Sequence, residues 1–274
     1  MCGCLVLLTV FALGSVPLTI DARGGVIVDA RVNGAGPFKF IVDTGASRSI
    51  VADDLATALR APIVAKSEVV GSAGSDMRFV VRLGSVAVES ARVDALLAVV
   101  VSAARLSPLG SDVRGVLGQD FLSAFNYTLD YRRGRLTWDE ALTCDTRGAV
   151  PMIAAEGRFV LALEDQRGTP LRMVPDSGAE VAMLFRSSTV PRASRAFVEG
   201  RAPEPGAMVA GLSGSGRLAH VTAIETLRVG SVTLRDLRAY AIDRVDDHAD
   251  GLLPLHAFAS VSFAAGGGCM VARR

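Results

Sequence analysis

The sequence has few of the residues that build metal centres or nucleotide-binding loops. Its 274 residues include three histidines and four cysteines, and neither set shows the close spacing of metal ligands. The glycine-rich run 211–216 lacks the lysine of a phosphate-binding loop, and no convincing Gly-x-Ser-x-Gly nucleophile elbow is present. An acidic run, 246–250, is interpreted as a solvated loop rather than a cation site. We therefore expect a function that needs neither a metal ion nor an organic cofactor.

An excess of charge of one sign is also lacking. The formal net charge is +1, which gives no reason to expect a nucleic acid as partner. Only two of the 29 basic residues are lysines, Lys39 and Lys66. Together with abundant alanine, glycine and valine, this usage is typical of a GC-rich bacterial genome and says nothing about the fold.

The apolar run near the N-terminus, Leu5–Leu13, is too short to span a bilayer, and we expect no stable membrane span. Gly14 and Ser15 follow it, as in a signal peptide, although no basic residue precedes it. Residues 1–19 are therefore either a signal peptide or a leading strand. We favour the signal peptide, which predicts a secreted or periplasmic protein; the leading strand would make the protein cytoplasmic.

Cleavage of such a signal would leave Cys144 and Cys269 as the remaining cysteines. An even pair can form a disulfide in an oxidising compartment, or the two residues can stay as buried thiols. The sequence leaves both alternatives open.

Helical patterns are scarce, which favours a β fold. Half of the residues are hydrophobic, and many short apolar runs end at glycine or proline. The best helical pattern is 52–60, where Leu55 and Leu59 lie four residues apart. Segment 90–101 is apolar but ambiguous, and 187–206 is predicted to be an exposed loop.

Two short runs of similar sequence carry the functional signal. Asp43–Ser47 has the sequence Asp-Thr-Gly-Ala-Ser, and Asp176–Glu180 has the sequence Asp-Ser-Gly-Ala-Glu. Their aspartates lie 133 residues apart (176 − 43), about half the chain. One such triplet is a weak signal, but two with matching surroundings indicate two similar lobes that each give one carboxylate to a shared site.

The surroundings of the two runs repeat as well. Each aspartate ends a predicted β-hairpin, with apolar alternation around a turn that contains glycine and proline. A glycine-rich segment follows, at 71–75 and 211–216, and then a Gly-apolar-apolar run, at 115–118 and 251–254. Because the same order occurs twice, we infer an internal duplication.

With these motifs the chain resembles the aspartic peptidases over residues 20–274. It is more similar to retropepsins than to pepsin, since Ala46 and Ala179 follow the motif glycines and each lobe is short. The resemblance implies an all-β, bilobal, retropepsin-like β-barrel fold with a cleft between duplicated lobes, 20–147 and 148–274. Such a chain resembles a retropepsin dimer fused into one polypeptide, and we expect it to be a monomer.

The resemblance implies an aspartic endopeptidase, a hydrolase in which Asp43 and Asp176 activate water against a protein or peptide substrate. Two carboxyl groups that share one proton can both take a proton from water and give one to the substrate. The supporting residues of the catalytic loops would be Thr44, Gly45, Ser177 and Gly178. The substrate contacts in the loops and the two glycine-rich flaps would be Ser47, Glu180, Gly71, Ser72, Gly74, Gly211, Ser213 and Gly214.

Two departures from the family pattern keep other functions open. Pro175 precedes the second aspartate and cannot donate a backbone N–H, and Pro254 stands where the first lobe has Gly118. Neither flap carries a tyrosine like the one on pepsin's flap. One alternative is a catalytically inactive peptide-binding protein with a degenerate second lobe. Another is a homodimeric peptidase that uses only Asp43 of each chain.

Overall fold

The computed structural model describes residues 14–71, 74–139, 141–165, 168, 170–185, 207–211, 214–244, 246, 248–266 and 268–274. The apolar run before residue 14 and the predicted loop over 187–206 lie outside these residues. Strands dominate the described part of the chain and its helices are short, which confirms the predicted all-β class. In that part, no helix has the length and apolar character needed to cross a bilayer.

The described residues of the first half form eleven strands and three short helices. They are β1 (Ser15–Pro17), β2 (Thr19–Ile20), β3 (Val26–Val32), β4 (Ala35–Val42), β5 (Ile50–Ala52), α1 (Asp53–Ala58), β6 (Ile63–Gly71), β7 (Gly74–Val88), β8 (Ala91–Val101), α2 (Ala103–Leu106), β9 (Val113–Leu117), α3 (Gln119–Leu122), β10 (Tyr127–Asp130) and β11 (Arg135–Trp138), with a 3-10 turn at Ser107–Leu109.

The described residues of the second half form ten strands and one 3-10 turn. They are β12 (Ala149–Ala155), β13 (Arg158–Asp165), β14 (Pro170–Asp176), β15 (Ala182–Phe185), β16 (Ala207–Gly211), β17 (Gly214–Val229), β18 (Val232–Ile242), β19 (Gly251–Pro254), the turn Leu255–Ala257, β20 (Ser260–Ala264) and β21 (Cys269–Arg273).

Local sequence accounts for several of these elements. The β3–β4 hairpin turns at Asn33 and Gly34, both at positive φ, as an Asn-Gly turn requires. The helical pattern at 52–60 forms α1, which has acidic residues in its first turn and buries Leu55. The ambiguous segment 90–101 is a strand, β8.

The two lobes are closed barrels of the same topology. In the first lobe the ring of strands is β3-β4-β9-β5-β8-β7, closed by pairing of β3 with β7. In the second lobe the ring is β13-β14-β19-β15-β18-β17, closed by pairing of β13 with β17. Both rings contain two parallel pairs, β4 with β9 and β5 with β8 in the first, β14 with β19 and β15 with β18 in the second. This repeated topology is the structural form of the sequence duplication.

Six strands join the lobes, in the order β1-β11-β10-β20-β21-β12, and β12 continues this sheet into the second barrel through β13. Its central pair is β10 with β20, where Tyr127 lies opposite Phe263 and their rings stack at 4.8 Å. Tyr127 and Ser260, which begin these two strands, are again 133 residues apart (260 − 127). The predicted lobe boundary at 147/148 falls between β11 and β12 and stays a prediction, because this sheet contains strands of both halves.

A disulfide between Cys144 and Cys269 adds a covalent link at this sheet. It joins the segment between β11 and β12 to the first residue of β21, so the alternative of two buried thiols is wrong for this structure. One apolar core also runs through both lobes, from Val28 and Leu83 through Tyr127 and Phe263 to Leu161. The lobes therefore share a core as well as a sheet.

Candidate active site

Each aspartate lies at the end of a strand, beside one of the predicted Gly-apolar-apolar runs. Strand β4 leads into Asp43 and runs parallel to β9, and the Asp43 N–H donates to the Leu117 carbonyl at 3.0 Å. Strand β14 ends at Asp176 and runs parallel to β19, with Asp176 opposite Pro254. The parallel pairing holds each Asp loop against the strand behind it.

The two loops bind each other through four buried hydrogen bonds. The Thr44 N–H donates to the Ser177 hydroxyl at 3.0 Å, and the Ser177 N–H donates to the Thr44 hydroxyl at 2.9 Å. The hydroxyls donate in turn across the lobe junction, Thr44 to the Pro175 carbonyl and Ser177 to the Val42 carbonyl, each at 2.7 Å. This reciprocal arrangement fixes the position of one Asp loop relative to the other.

The motif glycines bring the two carboxyl groups together. A Cβ built on Gly45 would lie 2.5 Å from Asp176 Cγ, and one built on Gly178 would lie 2.9 Å from Asp43 Cγ. Any larger residue at either position would displace the carboxyl group of the opposite lobe. The Asp43 carboxylate accepts hydrogen bonds from the Gly45 and Ala46 N–H groups, and Asp176 accepts one from Gly178.

Both carboxyl groups hold protons more strongly than an exposed aspartate. Burial raises the pKa of Asp43, although its hydrogen bonds from Asp176 and from the loop N–H groups oppose the rise. Burial, followed by the neighbouring Asp43 charge, raises the pKa of Asp176 well above its usual range. Two carboxyl groups in contact cannot both ionise readily, so the pair keeps one shared proton over a wide pH range.

The chain also matches a known protein family. A family model described as aspartyl protease matches residues 28–121 and 165–256, one match in each half of the chain. The chain belongs to the aspartyl protease family. The two tandem matches each contain one of the aspartates described above, and they confirm the resemblance to aspartic peptidases with two tandem lobes.

Similarity to individual proteins is lower. No curated protein matches this aspartyl protease. A solved retropepsin-like aspartic protease from Rickettsia conorii is 20% identical; the match covers 46% of this chain and 91% of that chain, with a TM-score of 0.34.

We expect Asp176→Asn to stabilise the aspartyl protease at neutral pH. The folded state raises the pKa of Asp176. This carboxyl therefore destabilises the fold as pH rises above the pKa that it has in the unfolded chain, near 3.8. The amide of the variant carries no such penalty. Its Tm at pH 7 should therefore exceed that of wild type, by about 2–4 °C for each kcal/mol gained in the free energy of unfolding. The gain should shrink towards pH 4. Calorimetry across pH checks this, with exposed Asp112→Asn as the control; a gain that is equal at pH 4 and pH 7 contradicts it.

The described glycines of the two glycine-rich segments lie at the ends of two antiparallel strand pairs, as the sequence predicts. Gly71 lies opposite Gly74 between β6 and β7, and Gly211 lies opposite Gly214 between β16 and β17. Strands β7 and β17 contact each other across the lobes. Ser72 and Ser213 lie outside the described residues, and the role of the hairpins as flaps stays a prediction.

The fourth residues after the two aspartates have different surroundings. Ser47 is half-buried against the turn at Gly157, where an added Cβ would lie 3.2 Å from the Ser47 Cβ. Glu180 is exposed, and its charge opposes the fall in the pKa of His256 that burial causes. Contact of either residue with substrate stays a prediction.

The residues that support the first Asp loop from behind were not predicted from the sequence. The Gln119 amide donates to the Thr44 carbonyl at 2.8 Å. The Ser49 N–H and hydroxyl donate to the Asp120 carboxylate, the hydroxyl at 2.6 Å, and the Gly118 N–H donates to the Ser49 hydroxyl. The sequence signal that could have found them is the polar pair Gln119 and Asp120, which directly follows the Gly-apolar-apolar run 115–118.

Pro175 lies outside the pairing of β13 with β14. In the first lobe the antiparallel pairing of β3 with β4 reaches Val42, whereas the pairing of β13 with β14 ends at Met173, two residues before Pro175. Pro175 therefore lies beyond the part of the strand where its missing N–H would be needed. Its carbonyl accepts the Thr44 hydroxyl hydrogen bond.

The interpretation of 246–250 as a solvated loop is wrong. Asp246 and Asp250 are buried. Arg158 and Arg244 each approach the Asp246 carboxylate at 3.1 Å. Burial alone would raise the pKa of Asp246, but the Arg158 charge and the loop N–H groups hold it below the usual range. Arg172 pairs with Asp250 at 3.5 Å. Guanidinium groups take the place that a cation would need, and the described residues contain no cluster suited to a metal ion.

Proposed function

We propose that this aspartyl protease is an endopeptidase that hydrolyses peptide bonds with a water molecule activated by Asp43 and Asp176. The observation that carries the proposal is the meeting of the two carboxyl groups across the lobe junction, each against the glycine of the opposite motif. The raised pKa values of the pair support it, because one retained proton gives the site both an acid and a base.

The proposed reaction follows from the hydrogen bond between the two carboxyl groups. Burial raises the pKa of both, and this hydrogen bond opposes the rise in the pKa of Asp43 but adds to the rise in the pKa of Asp176. Asp43 therefore serves as the ionised base, whereas Asp176 carries the proton. Asp43 removes a proton from water as the water oxygen bonds to the peptide carbon. Asp176 gives its own proton to the peptide carbonyl oxygen. The C–N bond then breaks as the nitrogen receives the proton held by Asp43 and one hydroxyl of the intermediate returns a proton to Asp176. A carboxylic acid and an amine leave, and the pair is restored with its one shared proton.

The surrounding elements fit a polymeric substrate. The hairpins β6–β7 and β16–β17 would close over an extended peptide as flaps and exclude water. Ser47, Glu180 and the glycines at both hairpin tips would contact its backbone. Both aspartates come from one chain, so we propose a monomer with an acidic pH optimum.

An oxidising location belongs to the same proposal. The Cys144–Cys269 disulfide supports secretion or a periplasmic site, because such bonds persist outside the reducing cytoplasm.

Digestion of an unfolded protein between pH 3 and pH 8 tests the function. We expect cleavage with an acidic optimum, and a loss of about 10²- to 10⁴-fold in both Asp43→Asn and Asp176→Asn. Exposed Asp112→Asn serves as the control. Peptides that bind but are never cut would favour the inactive binding protein. Activity that survives Asp176→Asn and rises with protein concentration would favour a homodimer built on Asp43.

A further inference from the structure

The two Asp loops are backed by unlike residues. Since Val42 pairs with Leu117 and Asp176 pairs with Pro254, Gly118 and Pro254 occupy equivalent places behind their loops. The next residue is Gln119 in the first lobe and Leu255 in the second. Both are buried, but only Gln119 has a polar side chain.

Gln119 holds the peptide group that carries one of the Asp43 hydrogen-bond donors. Its Nε2 donates to the Thr44 carbonyl at 2.8 Å, and the N–H of the same peptide unit, that of Gly45, donates to Asp43 Oδ1 at 2.9 Å. Because a peptide unit is planar, fixing the direction of its carbonyl also fixes the direction of its N–H. The Gln119 backbone N–H holds the other side of the loop, at the Ala46 carbonyl.

The other end of the Gln119 amide faces a buried tyrosine. Gln119 Oε1 and the Tyr127 hydroxyl are both buried, and within the described residues neither has a hydrogen-bond partner of good geometry. Burial raises the pKa of Tyr127, and the Gln119 side chain opposes the rise, as expected of neighbouring groups. A hydroxyl that donates to Oε1, directly or through one internal water, would fix which end of the amide faces Thr44.

We propose that Gln119 is a positioning residue for Asp43: oriented by the Tyr127 hydroxyl, its amide aims the Gly45 N–H at the Asp43 carboxylate. The proposal rests on the proposed dyad. It makes the first lobe the one that stabilises a carboxylate, and it gives the two aspartates unequal roles. Leu255 cannot supply the same support to Asp176.

Two substitutions separate positioning from general stability. Gln119→Leu installs the second-lobe residue, and we expect kcat to fall by up to about 100-fold with little change in KM. The acid limb of the kcat/KM profile should move to higher pH, because a carboxylate that loses a well-aimed donor binds its proton more tightly. Gln119→Glu keeps the size; when protonated it can still donate to Thr44, so its activity should approach wild type at low pH and fall below it as pH rises.

The matched control is Leu255→Met, a change of similar volume at the equivalent place, which should leave the acid limb unmoved. An unmoved acid limb in Gln119→Leu, whatever its kcat, overturns the proposal, and so does a Gln119→Glu variant with no recovery at low pH. Should Gln119→Leu fail to fold, the Gln119→Glu profile decides.

A measurement without turnover separates this proposal from the proposed function. The ¹³Cγ signals of labelled aspartates, assigned with Asp43→Asn, report the titration of Asp43 directly. We expect its midpoint to be higher in Gln119→Leu than in wild type, and an equal midpoint overturns the positioning role. If wild type cuts no peptide but the Asp43 midpoint is still higher in Gln119→Leu, the peptidase is refuted and the positioning role stands.

Discussion

Gly45→Ala will cut peptides at least about 100-fold more slowly than wild type and will still fold. The added Cβ would lie 2.5 Å from Asp176 Cγ and Oδ2, closer than non-bonded atoms approach, so the carboxyl group must move. A displacement of about 1 Å at reacting groups costs roughly 100-fold in rate. The backbone at Gly45 is not in the left-handed region, so alanine adds no strain of its own there. Measurement of kcat/KM on a fluorogenic peptide, with circular dichroism for the fold, gives the result.

The matched control for that variant is Gly266→Ala. A Cβ on Gly266 would meet nothing within 4 Å, and its backbone is likewise outside the left-handed region. Its activity should equal that of wild type. If Gly45→Ala keeps wild-type activity, Gly45 is not what limits the approach of the two carboxyl groups.

The double variant Cys144→Ser, Cys269→Ser should lose about 2–5 kcal/mol of stability. The disulfide spans a sequence separation of 125 residues, and closing a long loop removes much of the entropy of the unfolded chain. At about 2–4 °C per kcal/mol, Tm should fall by roughly 4–20 °C. Thermal unfolding by circular dichroism measures it.

Reduction supplies the control for this prediction. A reducing agent should lower the Tm of wild type towards that of the double variant and leave the variant unchanged. Equal Tm values for oxidised wild type and the variant would mean that the bridge contributes nothing to stability.

The parts of the structure that follow local rules could be predicted from sequence. The hairpins that lead into Asp43 and Asp176 depend on alternation and on turn residues, and β6–β7 and β16–β17 pair up to the glycines that the pattern indicates. Duplication made each signal visible twice, and the two strand orders repeat it.

What could not be predicted depends on contacts between distant residues. Gln119 meets Thr44 across 75 residues of sequence, and no local pattern tells which way a buried amide turns. The error at 246–250 has the same origin, because Arg158, which neutralises Asp246, comes 88 residues earlier in the chain. An acidic run looks solvated until its partners are known.

The sheet that joins the lobes has a consequence for how the halves could diverge. Strands β10 and β20 pair with each other, so either half alone would expose the strand edge that normally binds the other half. Such an exposed edge promotes self-association. In a symmetric dimer, every substitution appears on both sides of the cleft at once. Joined in one polypeptide, the halves keep their pairing while each changes independently, as Gln119 against Leu255 and Val42 against Pro175 show. Covalent linkage thus allows an asymmetric cleft to evolve inside a nearly twofold frame.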